Sequence, residues 1–128
     1  MIVLDASVLI GYFDASDVHH SRAVALLARE IDEDFAVNLL TLAEVLVAPT
    51  RTGQRDTVLG LVDALGVETL PFPNGSAVTL AQLRAETQLR MPDCCVLLSA
   101  RDRRARIASF DERVVKAARL LGMDVADE

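Results

Sequence analysis

The sequence contains no tryptophan, and its five aromatic residues (Tyr12, Phe13, Phe35, Phe72 and Phe110) are scattered. A platform of rings on which successive bases of a single strand could stack is therefore not expected. Only two cysteines occur, the neighbours Cys94 and Cys95. Adjacent cysteines rarely close a bridge on regular backbone and lack zinc-site spacing, so both read as reduced thiols in a cytoplasmic protein. No apolar run approaches the ~20 residues of a membrane span, and no basic region precedes the first apolar stretch. Neither a membrane anchor nor a secretory leader is expected. Lysine occurs once, Lys116, beside twelve arginines. A G-x-G-x-x-G turn is missing, which removes the dinucleotide-binding reading. With no repeat, low-complexity tract or linker, residues 1–128 are expected to form a single domain.

What the chain does have is apolar residues in alternating patterns. Hydrophobic residues make up 52% of 128 positions, enough for one substantial core. Strands are expected at 2–4, 35–38, 67–70, 105–109 and 123–127. Between them, VLIGYFD (8–14) reads as a short helical turn and a helix spans His19 to Glu30, with Val24, Leu26, Leu27 and Ala28 as its apolar positions. A helix over 40–49 is expected to stop at Pro49, and RDTVLGLVDALG predicts one ending at Gly66. Further helices are expected from the Ser76 region to Arg90, from Met91 with Pro92 in the first turn, and from Asp111 to Gly122. Strand and helix alternate, so the expected fold is α/β, a mainly parallel sheet with helices on both sides. Sites in such folds form beyond the carboxyl ends of the strands.

Asp5 ends the first strand in MIVLDASVL, and Asp111 follows the ARIAS strand, so both belong to that edge. Glu44 is the only charge in LLTLAEVLVA, and Asp93 opens MPDCCVLLSA at a helix start. Each acid has an ordinary explanation: helix capping for Asp93 and Asp111, a surface position for Asp5 and Glu44. These do not account for four acids that one sheet edge can gather. Two carboxylates ~5 Å apart repel by roughly 3 kcal/mol at an effective dielectric of ~20. Protons or cations must relieve this, and all-oxygen donors suit Mg²⁺ or Mn²⁺. Metal-assisted phosphodiester hydrolysis is the chemistry such a cluster suggests. The net charge of −6 argues against a general nucleic-acid coat without excluding an enzyme that keeps acids in its site.

The pieces IVLDASVLI, LTLAEVL, MPDCCVLLSA and ASFDERV occur in order, their acids 39, 49 and 18 residues apart. In these the chain resembles the PIN-domain ribonucleases, and among them the VapC toxins of toxin–antitoxin pairs. The resemblance covers essentially the whole chain and implies a PIN-like α/β/α sandwich. It implies a ribonuclease using Asp5, Glu44, Asp93 and Asp111 as catalytic acids around Mg²⁺ or Mn²⁺, with Asp5 and Asp93 as direct ligands. Ser7 would support Asp5, or cap a helix. A homodimer is implied, and so is a cognate VapB-like antitoxin whose tail lies in the active-site groove. The alternative is an inactive PIN-like binding or assembly module, which would have no reason to keep mutually repelling acids.

Cys94 and Cys95 depart from the small or aliphatic residues usual in the family, and Asn38 replaces a common hydroxyl residue. The most basic segment, RDRRAR, offers Arg101, Arg103, Arg104 and Arg106 either as a solvated helix end or as weak RNA contacts. His19 and His20 read as solvent-facing. A haloacid-dehalogenase-type phosphatase would need an Asp at position 7. A receiver domain would need early paired acids and a lysine after a late strand, whereas Lys116 falls inside a helix.

Overall fold

A computed structural model of the protein describes residues 1–126. The chain runs β1 (Ile2–Leu4), α1 (Ala6–Phe13), α2 (His20–Arg29), β2 (Phe35–Asn38), α3 (Leu39–Arg51) and α4 (Arg55–Ala64). It continues β3 (Glu68–Leu70), α5 (Ser76–Thr87), α6 (Met91–Arg103), β4 (Arg106–Ala108) and α7 (Glu112–Leu120). The four strands pair in the order β3-β2-β1-β4, all parallel, with Ile2 opposite Phe35 and Arg106, and Asn38 opposite Leu70. The expected α/β sandwich with a parallel sheet is what the chain forms. No helix among the described residues is long and apolar enough to cross a membrane.

Side-chain alternation along the strands builds two cores. Ile2, Leu4, Phe35 and Val37 point to the face covered by α1, α2, α3 and α4. Val3, Ala36 and Ile107 point to the other, covered by α5, α6 and α7. Helix α6 is buried at every position from Asp93 to Ala100, as a helix enclosed by sheet and neighbouring helices must be. That enclosure takes Asp93 out of water.

Several expected boundaries move for identifiable reasons. Helix α3 runs through Pro49 to Arg51. The proline comes close enough to the C-terminus that only its own missing N–H bond is lost. In α2 the buried stripe is Ala23, Leu26 and Leu27, while Val24 and Ala28 face outward, because helical periodicity selects i, i+3 and i+4. Helix α5 ends at Thr87, where Gln88 takes a left-handed conformation (φ 60°), and so does not reach Arg90. The expected last strand reduces to a bridge between Val125 and Ile107, tied by Ile107 N–H to Asp124 O (3.0 Å) and Ala126 N–H to Ile107 O (2.7 Å). Asp127, the end of that expected strand, lies outside the described residues.

The strand order positions the site. From β1 the chain steps through β2 to β3, then returns across the sheet to place β4 on the other side of β1. Helix α1 leaves β1 toward one face and α7 leaves β4 toward the other. The divergence opens a crevice beyond the carboxyl ends of β1 and β4, the switch point at which parallel α/β sheets bind ligands.

Candidate active site

Asp5 stands at this switch point, buried, with its backbone N–H still bonded to Ala108 O across the sheet (2.9 Å). Its Oδ1 accepts from Ala6 N–H (2.9 Å), capping α1. Its Oδ2 accepts from the hydroxyls of Ser7 (3.0 Å) and Ser109 (2.7 Å). Ser7 Oγ in turn accepts from Phe110 N–H (3.1 Å), and Ser109 Oγ from Asp111 N–H (3.0 Å). One network thus fixes the carboxylate of β1 against the loop after β4. Ser7 does support Asp5, as the Asp-x-Ser spacing suggests. Ser109 was not singled out from the sequence; its only signal is a hydroxyl closing a strand two residues before an acid.

Glu44 and Asp93 come from opposite sides of the sheet. Asn38 caps α3 by accepting from Thr41 N–H (2.8 Å), which sets the phase of the helix and brings Glu44 to the sheet edge, half-buried. Burial pushes the Glu44 carboxyl up, and the charges of Asp5 and Asp93 add to it. Burial also pushes Asp93 up, reinforced by Asp5 and Asp111 and opposed by Arg90 and Arg113. The expectation that Asp93 caps its helix does not hold. Arg90 occupies the cap position, no side chain caps α6, and Asp93 Oδ2 is buried without a hydrogen-bond partner. Arg90 Nε forms an ion pair with it at 3.6 Å, outside hydrogen-bond distance.

Asp111 differs from the other acids. It caps α7 by accepting from Arg113 N–H (2.9 Å), and the Arg113 guanidinium spans both its oxygens (3.2 and 2.9 Å). That side-chain bond is the main reason its carboxyl is held below the usual range. Arg90 and Arg113 are therefore the cations at this edge, and the sequence did not mark either.

The RDRRAR segment lies elsewhere. Arg103 is ten residues beyond Asp93 along α6, about 15 Å at the helical rise. Arg103 pairs with Glu68 (3.3 Å), and Arg104 ends the helix in a left-handed conformation (φ 51°). Arg106 points to the amino edge of the sheet, where it forks onto Glu30 (3.2 and 2.7 Å) and reaches Glu33 (3.1 Å). Arg101 is exposed in the last turn of α6. The RNA contacts considered for these four arginines are thus placed away from the acids, two of them in ion pairs. His19 and His20 are also more engaged than expected. The His19 ring packs on Phe110 (centroids 5.1 Å), and His20 Nδ1 lies 2.8 Å from Gly11 O. Cys94 and Cys95 are buried free thiols whose ionisation burial disfavours.

Among the described residues, no three His, Cys, Asp or Glu side chains stand close enough to hold an ion between them. The donor chemistry nevertheless fits a hard cation. The acids supply oxygen alone, and the buried, unpartnered Asp93 Oδ2 is a desolvated anionic oxygen of the kind such a cation relieves.

No curated protein matches the chain. Solved structures do resemble it. A toxin–antitoxin complex from Klebsiella pneumoniae contains a chain that superposes with a TM-score of 0.77 at 20% identity, over 100% of this chain and 99% of that one. FitAcB from Neisseria gonorrhoeae gives 0.74 at 21%, over 99% and 97%. VapC20 from Mycobacterium tuberculosis, described as a sarcin–ricin loop cleaving toxin, gives 0.69 at 16%, over 91% and 95%. At these identities the likeness is one of fold. In sequence, the family described as PIN domain matches residues 2–120. That span runs from the first strand through the last helix and takes in all four acids, so the chain belongs to the PIN domain family.

Proposed function

We propose that this protein is a metal-dependent endoribonuclease and the toxin of a two-gene toxin–antitoxin pair. The observation that carries the reading is how the acids are gathered: burial raises the carboxyls of Glu44 and Asp93, the charge of Asp5 raises both further, and Asp111 adds to Asp93. Acids whose charges act on a neighbour's carboxyl in this way share one field with it. A fold stabilised for its own sake gains nothing from repulsion of that kind. The toxins among the structural relatives support the biological setting.

Asp5 and Asp93 would hold Mg²⁺ or Mn²⁺, with Glu44 and Asp111 reaching it directly or through water. Such an ion, when bound, supplies charge to polarise a phosphodiester and lowers the pKa of a bound water. The chain's own groups do the rest. Ser7 and Ser109 hold the Asp5 carboxylate in orientation by donating to Oδ2. Arg90 and Arg113, at the rim, bring positive charge to a substrate phosphate that four carboxylates would otherwise repel.

Two partners belong to the proposal. One is a second copy of the chain, testable by sedimentation. The other is the antitoxin, for which an apolar groove of about 480 Å³ between α1 and α3 is a suitable seat. Ile10, Phe13, Val45 and Val58 line it, and Glu44 stands at its side.

Expression of the chain alone is expected to arrest bacterial growth, and co-expression of an adjacent antitoxin gene to restore it. Purified protein should cut RNA with Mg²⁺ or Mn²⁺ and stop when a chelator is added. Normal growth with abundant folded protein, together with no cleavage in either metal, would refute the proposal.

A further inference from the structure

A second groove, of about 720 Å³, lies between α2 and α7 and opens directly off the acid site. Ser109, which holds Asp5 Oδ2, forms its inner end, and Phe110 forms part of its wall. The wall is tied to the site, since Phe110 N–H donates to Ser7 Oγ (3.1 Å) and Ser7 donates to Asp5 (3.0 Å). Its charge is opposite to that of the chain. In a protein of net charge −6, Arg22, Lys116 and Arg119 line it against one acid, Glu112. All three cations are exposed, and Lys116 and Arg119 are one helical turn apart on α7. The Arg22 guanidinium lies 4.5 Å over the Phe110 ring, which sets its height along the wall.

Resting on the nuclease reading above, we infer that this groove binds the phosphodiester backbone of single-stranded RNA on one side of the bond to be cut. Positive charge along a groove that runs into an acidic site solves a physical problem. The acids need a cation to tolerate a phosphate, whereas the phosphates beside it can be held by arginine and lysine outright. The occupant is a single strand, because a rigid duplex does not bend into a groove between two helices and a single strand does. The two rings that line it, His19 and Phe110, pack on each other and under Arg22, so the groove holds phosphates and reads no base. Its contribution to affinity is independent of sequence.

The test is binding of short, labelled single-stranded RNAs of differing sequence, measured by anisotropy across a salt series in an Asp93→Asn background with chelator, so that nothing is cut. Changing Arg22, Lys116 and Arg119 together to Gln should weaken every RNA about tenfold or more and lower the log–log salt slope by about 2, at ~0.7 per phosphate contact. Arg22 packs on Phe110, so Lys116→Glu alone, on an exposed site, carries the test should the triple variant misfold, and Lys116→Arg should restore binding. Arg101→Gln with Arg104→Gln, at the far end of α6, should leave affinity and slope as in the parent. Unchanged affinity and slope in folded groove variants would overturn the inference even if the parent cuts RNA. A parent that binds RNA through these residues but cuts none in Mg²⁺ or Mn²⁺ would instead overturn the nuclease reading and leave the groove standing.

Discussion

Asp93 and Asp5 are both buried carboxylates at the start of a helix, yet their surroundings are opposite. Asp5 has every oxygen occupied: one by a backbone N–H, the other by two hydroxyls. Asp93 has an oxygen with no hydrogen-bond partner, and three acids, Asp5, Asp111 and Glu44, share its field. An acid raised on folding destabilises the folded state when ionised. Replacing Asp93 with Asn should therefore raise metal-free stability at neutral pH by ~1–3 kcal/mol, the scale of one such repulsion. The sign fixes the pH dependence. The gain should be full above the raised folded value and vanish as pH falls toward the ordinary carboxylate range, where Asp93 takes up its proton. Chemical denaturation of both proteins in chelator, at neutral pH and near pH 4, measures it. The same variant should cleave RNA more slowly by orders of magnitude, and a folded variant with parental activity would sink the four-acid site. Ser109→Ala tests the neighbouring network. Losing one charge-assisted bond should cost about 1–2 kcal/mol, with activity reduced more than stability explains, since Asp5 is then held from one side only.

At the scale of elements, three of the four acids owe their place to how a helix is capped. Asp5 caps α1, Asp111 caps α7, and Asn38 caps the helix that carries Glu44. The Asn38 amide oxygen makes the cap while its Nδ2 is left buried without a hydrogen-bond partner. Asn38→Ala should cost about 1 kcal/mol through the lost cap, and Asn38→Ser should recover most of it, because a hydroxyl caps as well as an amide. Thermal melts of the pair separate these outcomes. An alanine variant as stable as the serine variant would mean that the cap contributes nothing.

The molecule as a whole has a functional edge and a fastening edge. At the amino ends of the strands, Arg106 forks onto Glu30, and Glu33 receives both Arg106 and the amino group of Met1 (3.2 Å). Breaking this with Arg106→Gln should cost about 1 kcal/mol, the modest value of a partly exposed charged pair, and leave cleavage intact. The Arg106 bond holds the Glu30 carboxyl below its ordinary range. Its stabilisation is present above the unfolded value and is lost as pH falls through the depressed folded one. The parent should therefore lose its advantage over the variant in acid. A parallel acid-denaturation profile for the two proteins would contradict this.

The sequence by itself determined the parallel α/β sheet and which acids lie at its carboxyl edge, because strand–helix alternation and lone charges in apolar runs are local patterns. Asp5, Glu44, Asp93 and Asp111 could be picked out for that reason. It could not rank the arginines. RDRRAR stands out as a string, but α6 sets Arg103 about 15 Å from Asp93, and only tertiary packing decides that Arg103 pairs with Glu68 and Arg106 with Glu30 and Glu33. Arg90, Arg113 and Ser109 carry no local signal; each matters through what a strand or helix distant in the chain brings beside it. The same holds for the groove of Arg22, Lys116 and Arg119. Its walls come from α2 and α7, more than eighty residues apart in the chain, and they meet because the strand order places β4 beside β1.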